Sequence, residues 1–249
     1  MLKILGSPIS PYARKVFAVL ELKKIPFEID PVVAFFTDER FTKLSPLRRI
    51  PVLIDGDIAV ADSSVIVQYL EEKHPSPTVL PGTPAERATA RWLEEYADSR
   101  MGDVFLWRIF NAVVIGPSVW GGERNMASYQ KALAEDVPPI MDYLESVAPA
   151  SGFLFEEFSL ADLSVCVFFR NLRYARWSPD AAHWPKAAAW IAHSEGHPSL
   201  ARSSEWADAL VKTPVADHRA KAAEIGVPLT KETFLVAGPP RKGPMTVMA

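Results

Sequence analysis

The chain of 249 residues has a single cysteine, Cys166, so no intrachain disulfide can form and a reducing, cytoplasmic setting is expected. It has no apolar run approaching the roughly 18 residues that a bilayer span requires, which argues against a membrane-bound protein. The start, Met1-Leu2-Lys3-Ile4, leads into a strand and lacks the basic and then long apolar character of a secretory leader. Histidine is sparse, and His74, His183, His193, His197 and His218 show no metal-binding spacing, so no metal is expected. Net charge is small as well: 27 Lys and Arg against 30 Asp and Glu leave −3, which speaks against nucleic acid as a partner. Internal repeats are absent. What is present is 49% hydrophobic and 23% charged residues, enough for two modest domains around real cores.

The character of the chain changes once. Residues 1–74 alternate short strands with helical stretches, the pattern of a small α/β layer. Pro75 to Pro84 contains four prolines in ten residues and reads as a linker. Helical periodicity then dominates, over 85–114 with Gly116-Pro117 as a stop, 123–147 with a bend at Pro138-Pro139, 159–177, 184–194 and 198–211. The boundaries expected are 1–76 for the α/β domain, 77–84 for the linker, 85–211 for an all-helical domain and 212–249 for an irregular C-terminal extension. Ser159 and Asp162 have the spacing of a capping box, with Phe158 and Leu163 as its hydrophobic staple, an arrangement worth ~1–2 kcal/mol to the helix start. They read as folding residues. Cys166, in the apolar run from Leu163 to Phe169, reads as a small buried side chain.

Three short stretches carry chemistry. In Ser7-Pro8-Ile9-Ser10-Pro11, Ser10 sits at an N-cap with Pro11 as first helical residue, so its hydroxyl lies beside unpaired helical N–H groups. In Arg49-Ile50-Pro51-Val52, a proline at the mouth of an apolar strand suits a cis turn, with the Ile50 backbone turned outward to pair with an extended ligand. After the hairpin signal Gly56-Asp57, Asp62-Ser63-Ser64 opens a helix and offers a carboxylate, a hydroxyl and N–H groups to a group that bears both an ammonium and a carboxylate.

Together with Ser45-Pro46-Leu47-Arg48 and Phe158-Ser159-Leu160-Ala161-Asp162, these stretches resemble the glutathione transferase family in its bacterial, serine-using cytosolic branch, over about residues 1–210. The resemblance implies a thioredoxin-like N-terminal domain followed by an all-α C-terminal domain. It implies glutathione as co-substrate, no metal, and Ser10 as the catalytic hydroxyl that stabilises the thiolate. Arg49 would meet the glycyl carboxylate, Ile50 and Pro51 the cysteinyl backbone, and Asp62 and Ser63 the γ-glutamyl end. Ser7, three residues earlier, is the rival hydroxyl. The region Ala34-Phe35-Phe36-Thr37-Asp38 departs from the family pattern, with no base for the glycine end before Arg40.

A hydrophobic electrophile is the implied second substrate, with Ile9, Trp107, Arg108 and Phe110 as candidate pocket residues and Trp120 next in line. Two further functions stay open: glutathione-dependent thiol–disulfide or peroxide reduction, and a non-enzymatic binding or regulatory protein of the same fold. A homodimer is expected from the resemblance. The crowding of Phe105, Leu106, Trp107, Ile109, Phe110, Val113, Val114 and Ile115 also calls for burial on more than one side, by a second subunit or by the C-terminal tail.

Overall fold

The computed structural model describes residues 1–244, and the chain divides into two units. The first comprises Met1–Pro77 and residues 199–244; the second is Thr78–Pro198. The first unit opens with β1 (Leu2–Leu5), α1 (Pro11–Leu22), β2 (Phe27–Asp30), α2 (Glu39–Leu44), β3 (Val52–Asp55), β4 (Ile58–Ala61) and α3 (Ser63–Lys73). The second contains α4 (Pro84–Tyr96), a π-wound stretch (Ala97–Ile115), α5 (Gly116–Trp120), α6 (Met126–Lys131), a short π-wound turn (Ala132–Asp136), α7 (Val137–Val147), α8 (Leu160–Tyr174) and α9 (Pro185–Glu195). The chain then returns to the first unit with α10 (Ala201–Leu210) and α11 (His218–Glu224). A mixed four-stranded sheet followed by a largely helical unit is the fold class expected from the sequence. No helix among the described residues is long and apolar enough to cross a membrane.

The sheet runs β2-β1-β3-β4, with β1 parallel to β2 and antiparallel to β3, and β3 antiparallel to β4. Gly56 at φ 60 makes the β3–β4 turn, as its sequence signals. Helix α1 buries Val16, Phe17, Ala18 and Leu20 completely and packs against α3. Phe17 stacks on Phe27 with centroids 5.8 Å apart and meets Trp206 of α10 edge-on at 6.3 Å. That contact draws 201–210 to the sheet, so α10 belongs with the first unit and not with the helices before it. Lys23, its side chain fully buried, is held by His74 O at 2.6 Å, Pro77 O at 2.7 Å and the Glu71 carboxylate at 2.6 Å, which fixes the exit of α3. These acceptors compensate the burial of its charge.

In the second unit Gly116-Pro117 does not stop the helix. The chain continues to Trp120 and ends at Gly121, left-handed at φ 71. The reason lies in the winding. Gly116 N–H reaches back five residues to Asn111 O, and Pro117 falls in the first turn of the α-wound segment that follows, where a missing N–H costs little. The same device recurs at Pro138, where Val137 N–H bonds Ala132 O and the proline sits in the first turn of α7. The π-wound stretch packs on α8, Phe105 meeting Phe169 edge-on at 5.5 Å. Phe105, Leu106, Ile109 and Phe110 are thus buried within one chain, while Trp107, Val113, Val114 and Ile115 of the same stretch stay partly exposed.

The capping box at α8 is present and larger than its sequence signature. Asp162, fully buried, accepts from Ser159 N–H (2.9 Å), Ser159 Oγ (2.7 Å), Leu154 N–H (2.8 Å) and Trp190 Nε1 (2.6 Å). Phe158 is buried as expected, stacked on His197 at 4.0 Å. Cys166 is buried too.

The segment after α11 is not a loose surface tail. Residues 228–230 pair with the outer edge of β2, through Ile29 N–H to Pro228 O (2.7 Å) and Thr230 N–H to Ile29 O (3.1 Å). Asp30 then accepts from Phe234 N–H (2.7 Å), Thr233 Oγ1 (2.8 Å) and the Arg219 guanidinium (3.2 Å). Burial raises the Asp30 carboxyl above its ordinary range, and these donors only partly offset that.

Candidate functional site

Sheet register gathers the chemistry-bearing turns. Leu5 of β1 pairs with Val52 of β3, and Val52 pairs with Ala61 of β4. One step beyond this row the chain reaches Gly6, Pro51 and Asp62, all at the same end of the sheet. Gly6 shows how close they come: a Cβ there would lie 3.5 Å from Ile50 Cβ, 3.5 Å from Pro51 Cα and 3.3 Å from Ala13 Cβ. The Ile50–Pro51 bond is cis.

Ser10 is the N-cap of α1, and its Oγ accepts from Ala13 N–H at 3.4 Å. It is half-buried, whereas Ser7 is only 2% exposed and its Oγ accepts from Ile9 N–H at 3.3 Å. The turn between them is braced by Arg14, which is 1% exposed and donates to Pro8 O at 2.8 Å and Ile9 O at 2.9 Å. Arg14 is not among the residues that the sequence analysis singles out. Its signal was a guanidinium four residues past the cap on an otherwise apolar helix face.

Asp62, at φ 82, is the N-cap of α3; its Oδ1 accepts from Ser64 N–H (2.9 Å) and Val65 N–H (3.4 Å). The cap therefore falls on the exposed carboxylate, and Ser63 is the first helical residue and buried. A non-glycine residue at this φ is uncommon and concentrates at functional turns. Lys15, buried in α1, reaches Ser64 Oγ at 3.2 Å.

The side chain of Arg49 is exposed, while its backbone is fixed on both sides by one hydroxyl: Ser45 Oγ accepts from Arg49 N–H (3.0 Å) and donates to Arg49 O (2.9 Å). Arg40, the next base available for a glycine end, is engaged by Asp38 (2.7 Å) and Thr233 O (3.1 Å) and lies over the Phe234 ring. Arg48, at φ 51, also turned out to matter. Its guanidinium contacts Thr42 Oγ1, Ala34 O, Thr37 O and Thr37 Oγ1.

Of the pocket candidates, Ile9 lies in the first unit and Trp107, Arg108 and Phe110 in the second. Phe110 is 2% exposed and rests beside Tyr174 at 6.4 Å. Arg108 is paired with Asp103 (2.7 Å) and Asp136 (3.2 Å), and its hydrogen bond to Asp103 raises its pKa. No cluster of metal-ligating side chains occurs among the described residues.

This arrangement, a capped helix and a cis-proline turn at one end of a mixed sheet, has relatives. Residues 4–78 match the family model for the glutathione S-transferase N-terminal domain. Glutathione S-transferase U13 of Arabidopsis thaliana is 35% identical over 102 residues, covering 39% of this chain and 45% of that protein. The chain spans about half the length of such curated relatives, at 45% and 50% for the Arabidopsis and rice proteins. Among solved structures, a glutathione S-transferase from Rhodospirillum rubrum superposes with a TM-score of 0.74 at 24% identity, over 82% of this chain and 91% of that one, a likeness of fold. A glutathione S-transferase from Methylobacterium radiotolerans, solved in complex with glutathione sulfonate, gives a TM-score of 0.66 at 26% identity, over 82% and 94%. Together these matches make the chain similar to glutathione S-transferases, in sequence over residues 4–78 and in fold over most of its length. The sequence relatives include plant proteins, so they do not single out the bacterial serine-using branch.

Proposed function

We propose that the protein is a glutathione transferase in which Ser10 stabilises the thiolate of bound glutathione for attack on a hydrophobic electrophile. The observation that carries this reading is the row Leu5–Val52–Ala61, which ends in Gly6, Pro51 and Asp62 at one end of the sheet. An ordinary thiol is only a few per cent ionised at neutral pH. Ser10 accepts a helical N–H and retains its own O–H for donation to sulfur, so the helix N-terminus reinforces the bond. Lowering the thiol pKa by about two units corresponds to about 2.7 kcal/mol, within the range of a charge-assisted hydrogen bond plus the helix dipole. No proton leaves serine in this scheme. Burial of Ser7 favours Ser10 over it.

The remaining roles follow from chemical type. The Ile50 backbone beside Pro51 pairs with the cysteinyl unit. Asp62 attracts the γ-glutamyl ammonium, and Ser63 with its helix N-terminus takes the γ-glutamyl carboxylate. Arg49 meets the glycyl carboxylate, a role that Arg40 cannot share while Asp38 and Thr233 hold it. For the electrophile, Ile9, Trp107, Arg108 and Phe110 are candidates by residue type alone, and Arg108 is already paired with Asp103 and Asp136. A cytoplasmic homodimer is part of the proposal on family grounds alone, and light scattering at twice 27.6 kDa would support it.

Calorimetric titration with glutathione, followed by thiolate absorbance of the complex, tests the reading. Ser10→Ala is expected to leave the dissociation constant within about twofold and to lower turnover by about tenfold or more, because the lost bond acts on the thiolate. An active Ser10→Ala beside an inactive Ser7→Ala would transfer the role to Ser7. No binding at millimolar glutathione would sink the transferase and the reductase alike and leave a binding protein.

A further inference from the structure

We infer that Arg48 and the C-terminal strap, residues 228–241, form a two-sided brace that positions the Ile50 backbone for the glutathione cysteinyl unit. This rests on the transferase reading above. The brace begins with one guanidinium. Arg48 Nη1 lies 2.5 Å from Thr42 Oγ1, and Nη2 reaches Ala34 O at 3.2 Å, Thr37 O at 3.0 Å and Thr37 Oγ1 at 3.0 Å. A single side chain therefore ties the 34–37 turn and α2 to the backbone three residues before Pro51. It does so from φ 51, where glycine is favoured and an L side chain is disfavoured. An arginine kept in that conformation, with four acceptors on its planar fork, points to a use for the fork.

The second side of the brace is the strap. Leu235 bridges Thr37, Val236 N–H donates to Phe36 O at 2.9 Å, and Arg241 N–H donates to Phe35 O at 2.7 Å. Phe234 and Leu235 pack on the cluster of Leu5, Val32, Ala34, Phe41 and Val52, against which Ile50 also packs. Arg40 clasps the strap from α2, donating to Thr233 O at 3.1 Å with its guanidinium 5.0 Å from the Phe234 centroid. The 34–37 turn is thus held by the strap on one side and by Arg48 on the other, and through Arg48 it steadies residues 48–50. Arg48 and Phe234 are positioning residues; in this reading neither touches substrate.

The test compares Arg48→Gly, Arg48→Lys and Phe234→Ala in the full chain. Glycine accepts φ 51 without strain, so Arg48→Gly removes the fork and keeps the backbone geometry open. Amide hydrogen exchange at Phe36, Thr37, Arg49 and Ile50 is expected to accelerate by about tenfold or more in Arg48→Gly and in Phe234→Ala, while α8 keeps its protection. Arg48→Lys, which retains the charge but one ammonium in place of the fork, should fall between wild type and Arg48→Gly. The glutathione dissociation constant should rise about fivefold in Arg48→Gly, with the thiolate pKa of bound glutathione unchanged because the Ser10 end is untouched. Unaltered exchange at Arg49 and Ile50 in either Arg48→Gly or Phe234→Ala would overturn the inference. So would a shift of the thiolate pKa together with affinity, since that would mark general loosening of the unit. If wild type fails to bind glutathione, the transferase reading falls by itself, and exchange at Arg49 and Ile50 still decides the coupling.

Discussion

Asp162→Ala is expected to be among the most destabilising single changes in the second unit. The carboxylate is fully buried and accepts four hydrogen bonds, from Ser159 N–H, Ser159 Oγ, Leu154 N–H and Trp190 Nε1. Alanine removes every acceptor at once. The serine hydroxyl can rotate toward another partner, but two backbone N–H groups and an indole N–H cannot. Each stranded donor costs ~1–3 kcal/mol when buried, and Leu154 is only half-buried, so the total comes to ~3–5 kcal/mol. That is a large part of the ~5–15 kcal/mol typical of a folded domain.

With a urea slope of ~2–3 kcal/mol per molar, the unfolding midpoint should fall by roughly 1–2 M. Tryptophan fluorescence suits the assay because Trp190 is itself one of the donors. Asp162→Asn separates the two oxygens. An amide oxygen can still serve Leu154 and Trp190, but an NH2 group cannot accept from Ser159 N–H, so the expected loss is ~1–2 kcal/mol. A loss below about 1 kcal/mol in Asp162→Ala, or equal losses in both variants, would refute the reasoning.

Two further outcomes are expected. His218 is 2% exposed with Nε2 3.0 Å from Thr213 O, and burial holds its pKa below the usual 6.5 despite that bond and the nearby Asp217. The unfolded chain therefore takes up this proton first on acidification. Stability contributed by neutral His218 is complete above about pH 6.5 and declines as pH falls toward the folded pKa; identical pH slopes for wild type and His218→Gln in urea unfolding would discard this. Gly116→Ala would ordinarily strengthen a helix by about 1 kcal/mol, but here a Cβ would stand 2.9 Å from Asn111 O, so a loss of ~1–3 kcal/mol is expected and a gain in melting temperature would contradict it.

What could be read from the sequence was set by how far each signal reaches along the chain. The Ser10 cap with Pro11, the Gly56 turn and the Ser159–Asp162 box each consist of residues within a few positions of one another, and each is found where it was expected. The box was underestimated for the same reason: Leu154 and Trp190 lie outside its local pattern, yet they supply half of the bonds to Asp162. Gly116-Pro117 misled because the stop rule assumes α winding on both sides, and the preceding turns are π-wound. The apolar crowding was legible only as a stretch needing cover on several sides, because periodicity cannot see α8, which covers Phe105 and Phe110 but leaves Trp107, Val113, Val114 and Ile115 partly exposed.

The strap was hidden for a different reason. Residues after Ala209 are rich in Pro, Gly and Lys, a composition without apolar period, and such a composition reads as irregular chain. Its attachment, however, does not use a side-chain pattern. Strand β2 is an edge strand of the sheet, and its unpaired N–H and C=O groups will accept any extended backbone that reaches them. Ile29 supplies both bonds to 228–230, and Asp30, the next residue, supplies the carboxylate that fixes 233 and 234. The one sequence sign of this was Asp30 itself, a charge ending an apolar strand, which becomes intelligible only when Arg219, Thr233 and Phe234 are seen around it. Closing an exposed edge and bracing the turn next to the proposed glutathione site are then one act, because the strap that covers β2 runs on to Phe35 and Phe36.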